Sequence, residues 1–289
     1  SGTNYAQSNP ISMDGPKTAI AVWKTQYKVS FTQTGSPVAP SVTYTADTDP
    51  TNTVPFDIWV KAGSQIIYEY QSIVSGPTGT RYVLINTNPP SPQTVNAPLT
   101  IVGTYKTQYL VTFQQTGLDA TANSIVVTFN SVSKNYGDLP NSTWFDSGYL
   151  LSYSYLNVSS SVSGKRFIII GVTGPASPFS VSGSVAITGN YKTQYYLTLA
   201  TNPPAVTTPS GQGWYDAGTL ALISTSQYVD IVPGSSRYRF SNWTTADMTE
   251  ITNPISPSTT VLMDKAKTVT ANYVTQCYLT VTSPYGTSS

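Results

Sequence analysis

The sequence predicts an all-β protein made of three small modules in tandem, each a β-sandwich (Ig-like) or β-grasp-like unit, with almost no helix. Three observations support this fold class. A four-residue motif recurs at module-sized intervals, several short segments alternate apolar and polar residues, and 20 Gly with 21 Pro interrupt the chain too often for long helices. The length of 289 residues also exceeds the roughly 100 to 200 residues of one domain, so more than one core is expected.

The recurring motif, here called the anchor, is Lys-Thr-Gln-Tyr. It occupies residues 24–27, 106–109 and 192–195, and a degenerate copy lies at 274–278. Its glutamines recur every 82 to 86 residues, which is too long for a solenoid unit and suits a small β-domain. The chain therefore divides into the C-terminal part of a preceding repeat (1–23), three modules (24–105, 106–191 and 192–273) and the first strand of a following repeat (274–289).

Other features keep phase with the anchor. An aromatic-x-acid-small-Gly turn appears at 214–218 and 144–148, and more loosely at 59–63. In these turns we expect Asp146 and Asp216 to cap backbone N–H groups while Gly takes a positive φ. A basic-aromatic strand start follows each turn, and the alternating segments are 109–113, 125–129, 151–155 and 181–187.

The second module is expected to run into the third without a linker. Its closing strand, residues 185–191, is followed by the opening strand, 195–199, with no Pro and no Gly/Ser spacer between them. The array should therefore be stiff.

The third module carries a set of motifs in a fixed order: Tyr-Leu-Thr-Leu at 196–199, Gly-Trp-Tyr-Asp-Ala-Gly at 213–218, Tyr-Arg-Phe-Ser-Asn-Trp at 238–243, Met-Asp at 263–264 and Lys-Thr-Val-Thr-Ala-Asn-Tyr at 267–273. On these residues it resembles the divergent internalin-type B repeat, found in tandem on bacterial and archaeal surface proteins. The first two modules lack the Phe-x-x-Trp element.

The resemblance implies a compact β-grasp-like or immunoglobulin-like unit, strung in series as a spacer or adhesive stalk, with no catalytic residues to carry over. The anchor junctions also look like those of archaeal surface-layer, thread-like filament and thermopsin-associated proteins.

Composition favours an extracellular, cell-surface location. Charged residues make up 9% of the chain against about 25% in ordinary domains, so hydroxyls and amides supply the hydrated surface, which tolerates low pH and high salt. A formal net charge of +1 without a basic run argues against a nucleic-acid partner. No apolar run approaches the roughly 18 residues of a membrane helix, so no membrane segment is expected in this chain.

The inventory of reactive side chains argues against an enzyme. The chain has no histidine and a single cysteine, Cys277, which excludes Ser-His-Asp and Cys-His machinery and an intrachain disulfide. Cys277 is expected to be an inert core residue of a strand. No acid-protease-like motif appears, and no cofactor is expected. Asp47, Asp49 and Asp57, in a Pro-rich stretch, are weak candidates for calcium, with ordinary loop solvation the favoured interpretation.

Two further sets of residues are candidate sites. Asn141, Asn157 and Asn242 begin glycosylation sequons, in or beside predicted turns. Trp214, Tyr238 and Trp243 are candidates for stacking on a ligand such as a sugar, although cross-strand packing accounts for most of the 21 tyrosines.

The sequence thus predicts a structural extracellular repeat protein, not an enzyme, that forms part of a cell-surface layer, stalk or filament. The expected partners are further copies or neighbouring surface subunits, and glycans are a second possibility. Exposed edge strands in the partial repeats offer one route to self-association. Two alternatives remain, an adhesin or carbohydrate-binding array and a set of accessory domains of a secreted hydrolase.

Overall fold

A computed structural model describes residues 14–18, 22–45, 51–246 and 248–282. Within these ranges the protein is nearly all β, and its only helices are two 3₁₀ turns, η1 (Tyr136–Asp138) and η2 (Met248–Glu250). The all-β prediction is therefore confirmed. The chain divides into two compact units, one formed by Ser1–Gly76 with Arg81–Thr107 and the other by Pro77–Thr80 with Gln108–Ser289.

The first unit contains one complete interval between anchors. Its strands are β1 (Gln26–Thr34), β2 (Ser41–Tyr44), β3 (Thr51–Thr53), β4 (Phe56–Lys61), β5 (Gln65–Ile66), β6 (Tyr68–Tyr70), β7 (Ile73–Ser75), β8 (Thr80–Asn88), β9 (Gln93–Thr94) and the first part of β10 (Leu99–Thr116). Strand β1 pairs in parallel with β10 and antiparallel with β4. A second sheet has the order β3-β2-β6.

The core of the first unit lies between these sheets. Alternation along β1 buries Val29 and Phe31 completely, because successive side chains of a strand point to opposite faces. The Phe31 ring stacks on Tyr44 of β2 at 5.5 Å and meets Tyr68 of β6 edge-on at 5.7 Å. Aromatic pairs therefore join the two layers.

The second unit continues with β11 (Val127–Phe129), β12 (Val132–Lys134), β13 (Asn141–Asp146), β14 (Leu150–Leu151), β15 (Tyr153–Tyr155), β16 (Val158–Ser159), β17 (Lys165–Thr173), β18 (Phe179–Ser180), β19 (Val185–Asn202), β20 (Gly213–Asp216), β21 (Thr219–Ser224), β22 (Tyr228–Val232), β23 (Ser236–Thr244), β24 (Ser258–Met263) and β25 (Lys267–Cys277). Two hydrophobic clusters lie in this unit, one within residues 111–191 and one within 197–273.

Both clusters are enclosed by the same strand arrangement. Around the first, the later part of β10 pairs antiparallel with β13 and parallel with β19, and β19 pairs antiparallel with β17. Around the second, the later part of β19 pairs antiparallel with β20 and parallel with β25, and β25 pairs antiparallel with β23. Smaller sheets, β12-β11-β15 and β21-β24, supply the other layers. Across the first cluster Phe113 stacks on Phe129 at 4.2 Å.

Strand β19 joins the two clusters without a break. Its first residues carry the buried Ile187 and Tyr191, and its later residues carry the buried Leu197. The closing strand of one interval and the opening strand of the next are therefore one 18-residue strand, as the missing linker predicts. Strand β10 has the same length and nearly the same burial pattern.

The Gly of each recurring turn does what its motif requires. Gly63, Gly148 and Gly218 have φ between +78° and +83°, a region in which a side chain is strained. In all three, the Gly N–H donates to a carbonyl of the facing layer, that of Val95, Val181 or Met263, at 2.8 to 2.9 Å. These turns therefore tie the two layers of each interval together.

Candidate functional site

The anchor that lies inside β19 belongs to a polar site that joins strands β17, β19 and β20. Lys192 and Gln194 are two residues apart on a strand, so their side chains share one face. The register of β19 with β20 places Asp216 directly opposite Gln194. The anchor and the aromatic-x-acid-small-Gly turn, recognised separately in the sequence, therefore form one site.

Asp216 binds both polar anchor residues. Its Oδ2 lies 2.8 Å from Lys192 Nζ, and its Oδ1 accepts a hydrogen bond from Gln194 Nε2 at 2.8 Å. The hydrogen bond from Lys192, followed by that from Gln194, lowers the pKa of Asp216 below its ordinary value. The carboxylate is therefore ionised across the neutral and mildly acidic range.

Arg166 connects the same glutamine to the preceding interval. Strand β17 places Arg166 opposite Gln194, and Arg166 Nε donates to Gln194 Oε1 at 2.9 Å. The guanidinium lies over the Trp214 ring, 4.2 Å from its centroid, a geometry that favours a cation–π interaction. Arg166, Lys192, Gln194, Trp214 and Asp216 are called the junction cluster below.

Parts of this arrangement recur elsewhere. Gln108 Nε2 donates to Asp146 Oδ1 at 2.7 Å. Near the end of β25, Arg237 Nε donates to Gln276 Oε1 at 3.1 Å, and its guanidinium lies 3.8 Å from the Tyr228 ring centroid. The first unit differs, because Lys61 stands opposite Gln26 where the other turns have aspartate.

The carboxylates of the turn acids Asp146 and Asp216 accept hydrogen bonds from anchor side chains. That they cap backbone N–H groups of their own turns stays a prediction. The partners are 38 and 22 residues away in sequence, so local turn chemistry could not identify them. The usable signal in the sequence is the fixed order of the two motifs, since the turn follows the anchor in every interval.

An open groove of about 510 Å³ lies beside the junction cluster. Its lining residues are Ser163, Gly164, Tyr196, Thr198, Trp214, Ala266, Lys267 and Thr268. Tyr196 meets Trp214 edge-on at 5.2 Å, so the groove combines aromatic edges with hydroxyl groups. A second groove, of about 570 Å³, lies beside Arg237 and Gln276.

The three stacking candidates lie in different environments. Trp214 is half-buried, with Arg166 over one ring face. Tyr238 is half-buried and packs edge-on against Tyr273 at 6.4 Å. Trp243 is completely buried and donates from Nε1 to the Ser256 carbonyl at 3.0 Å, so its ring presents no face to a ligand. Trp214 lines the groove of about 510 Å³.

The three sequon asparagines also differ in exposure. Asn157 is exposed, and its Oδ1 accepts the Ile169 N–H at 3.0 Å. Asn141 is half-buried at the start of β13, with the Thr143 hydroxyl 3.4 Å from its Oδ1. Asn242 lies inside β23 and not in a turn as expected, because its segment pairs along β25. Asn157 is the most accessible acceptor.

Of the three weak calcium candidates, Asp57 is the one that lies among the described residues. Asp47 and Asp49 lie outside the described residues. Asp57 is on strand β4 and not in a loop, and it forms an ion pair with Lys28 at 2.7 Å. The hydrogen bond from Lys28 lowers the pKa of this carboxyl. Among the residues with assigned structure, no group of three or more His, Cys, Asp or Glu side chains is arranged to hold a metal ion.

Cys277 is exposed at the end of β25, so its expected place in a core is wrong. The corresponding positions of the complete anchors are tyrosines, which pack partly against a cluster: Tyr195 on the third and Tyr109 on the second.

Comparison with known proteins leaves the structure as the guide to function. No protein-family model matches the chain, and no curated protein matches its sequence. In the part of the chain that the structure describes, no helix is long and apolar enough to span a bilayer.

Proposed function

We propose that the protein is a structural extracellular repeat protein that forms part of a cell-surface layer, stalk or filament. The observation that carries the proposal is the junction within β19, where one strand serves two successive hydrophobic clusters and the junction cluster ties their flanking strands together. A continuous strand leaves no flexible linker at this point. A chain joined in this way holds these two clusters at a defined spacing.

Three modules in series are part of this proposal. Three separate hydrophobic clusters, within residues 29–105, 111–191 and 197–273, support the division at the anchors. The recurring turn contacts of Gly63, Gly148 and Gly218 support equivalent modules. Facing β-sheets joined by aromatic contacts, such as Phe113 with Phe129, favour a sandwich of the Ig-like kind over a β-grasp unit, whose sheet packs on a helix.

The cell-surface location rests on chemistry of the surface. Only 9% of the residues are charged, so hydration of the surface depends on hydroxyl and amide groups. These groups do not change protonation with pH, and they carry no charge for salt to screen. Asn157, exposed beside β16, is the acceptor most suited to a glycan. The intact mass of protein from its native source should exceed the mass of the polypeptide by whole sugar units. The Asn157→Gln variant should lose the mass of one glycan. A bare polypeptide mass would remove glycosylation from the proposal.

Electron microscopy of protein isolated in its native state tests the assembly role. Lattices, filaments or stalks with a regular axial repeat are the expected result. A sample that stays monomeric at high concentration and shows flexible, bead-like particles would contradict it. If the wild type assembles and the Arg166→Ala variant loses the order of the assembly, the stiffness depends on the junction cluster. Arg237→Ala is the matched control and should keep the order.

Carbohydrate binding is a second candidate, and the groove beside Trp214 favours it. Aromatic edges of Trp214 and Tyr196, with the hydroxyls of Thr198 and Thr268, are the groups that pack against and hydrogen-bond to sugars. Glycan-array binding should then fall in Trp214→Ala and persist in Trp59→Ala, which alters the exposed tryptophan of the first recurring turn. No binding to any glycan, or equal loss in both variants, would remove this candidate.

A further inference from the structure

In each interval between anchors, the first strand and the last strand lie side by side and run parallel. Six residue pairs join them in every case: Val29–Leu99 to Thr34–Thr104, Val111–Val185 to Thr116–Asn190, and Leu197–Lys267 to Asn202–Asn272. The same ladder therefore closes all three intervals.

This topology decides how tension along the chain would act. The chain enters an interval at the start of its first strand and leaves at the end of its last strand. Because the strands are parallel, these two points lie at opposite ends of the ladder. Pulling them apart slides one strand along the other, so the interstrand hydrogen bonds resist together and do not open in turn.

We propose that each ladder is a mechanical clamp, and that the protein's further function is to resist tension directed along its chain. The inference deepens the proposed surface role, since a stalk or filament is the setting in which such tension arises. It needs no particular assembly, because the clamp is a property of each interval.

Side chains reinforce the ladder in the second unit. Gln114 Nε2 donates to Thr188 Oγ1 at 3.0 Å, and Thr116 Oγ1 donates to Asn190 Oδ1 at 2.9 Å, both between the two terminal strands. Asn202 Nδ2 donates to Asn272 Oδ1 at 3.3 Å in the next ladder. Because these side-chain bonds join the two strands that slide past each other, they resist tension together with the backbone hydrogen bonds.

In two of the three ladders, the hydroxyl of a buried tyrosine contacts both strands. The Tyr155 hydroxyl is 2.7 Å from the Gln114 carbonyl of β10 and 2.8 Å from the Ile187 carbonyl of β19. The Tyr70 hydroxyl lies in the same way, 2.8 Å and 2.9 Å from the carbonyls of Thr32 and Ile101. One hydroxyl therefore contacts both strands of its clamp.

Force spectroscopy on the third ladder can separate shearing from peeling with the native thiol of Cys277 as one handle. In the Ser182→Cys variant, force enters β19 at its start and leaves β25 at its end, so the ladder is sheared. In Thr208→Cys, the second handle follows Asn202, so both handles lie at one end of the ladder and it is peeled. Ser182, Thr208 and Cys277 are all exposed, which favours folding of both variants.

The expected result is an unfolding force several times higher for the Ser182–Cys277 pair than for the Thr208–Cys277 pair, because forced unfolding reports the barrier along the loaded direction. Equal forces would overturn the clamp. Electron microscopy tests the surface role independently, so lattices with equal forces would leave the proposed function standing without the clamp. Monomeric particles with unequal forces would leave the clamp without that assembly.

Discussion

Asp216 illustrates how a single residue holds elements that are distant in sequence. Its two carboxylate oxygens have separate partners, Lys192 and Gln194, and Gln194 is held in turn by Arg166. The side chains of Lys192 and Asp216 are each 40% exposed, so solvent screens the ion pair and hydrogen-bond geometry matters more than charge.

Removing the carboxylate should therefore have a modest, local effect. Asp216→Ala leaves Lys192 and Gln194 without their shared acceptor, and we expect a loss of about 1 kcal/mol in the free energy of unfolding. Urea denaturation measures it, with Asp230→Ala, at an exposed strand position, as control. A loss of about 3 kcal/mol or more would mean that the contacts of Asp216 behave like those of a buried ion pair.

Acid should weaken the protein through carboxylates whose pKa values are lowered in the folded state. At Asp119, burial acts to raise the pKa, but hydrogen bonds from Lys165 and Thr121 outweigh it and bring the pKa to about 2. The ionised form therefore favours the folded state, fully above the ordinary value near 4 and progressively less as the pH falls to about 2.

Thermal unfolding measured from pH 6 to pH 2 should follow this sign. The melting temperature should stay level down to about pH 4 and decline below it. In Asp119→Asn the decline should be shallower than in the wild type. An identical slope in the variant and the wild type would show that Asp119 does not couple protonation to folding.

At the level of elements, alternation and turn motifs predicted much of the fold. Residues 109–113 form part of β10, and most of 151–155 is in strands β14 and β15. Residues 181–184 precede β19, although they alternate, because Val181 is paired through backbone bonds to Tyr149 and Gly148 in the other layer. The strand partners, the parallel ladders and the Asp216 contacts join segments that are distant in the chain. Local patterns in a single sequence do not reveal such pairings.

The close approach of Tyr155 to β19 depends on Gly189. A Cβ built at Gly189 would lie 2.4 Å from the Tyr155 ring, whereas one at Gly183 would meet nothing within 4 Å. Gly189→Ala should thus destabilise the protein by about 1 to 3 kcal/mol, as overpacked cores do. Gly183→Ala is the matched control and should be close to neutral. Chemical denaturation measures both, and equal stabilities would mean that Tyr155 shifts freely.

On the scale of the whole molecule, the second unit contains two hydrophobic clusters within one compact body. They share β19, and Arg166 from one side meets Gln194 and Trp214 on the other. Two packed clusters connected in this way should unfold together only while the contacts between them outweigh the difference in their separate stabilities. We expect the junction cluster to contribute to this coupling.

Arg166→Ala should separate the unfolding of these two clusters. The substitution removes a hydrogen bond to Gln194 and a cation–π contact with Trp214, each worth about 1 kcal/mol. Hydrogen exchange in increasing urea, read by mass spectrometry on peptides from β17 and β24, should give one midpoint in the wild type and two in the variant. Arg237→Ala removes a similar pair from the end of β25, where it joins no second described cluster, and should keep one midpoint. Coincident midpoints in Arg166→Ala would instead place the coupling in the continuous backbone of β19.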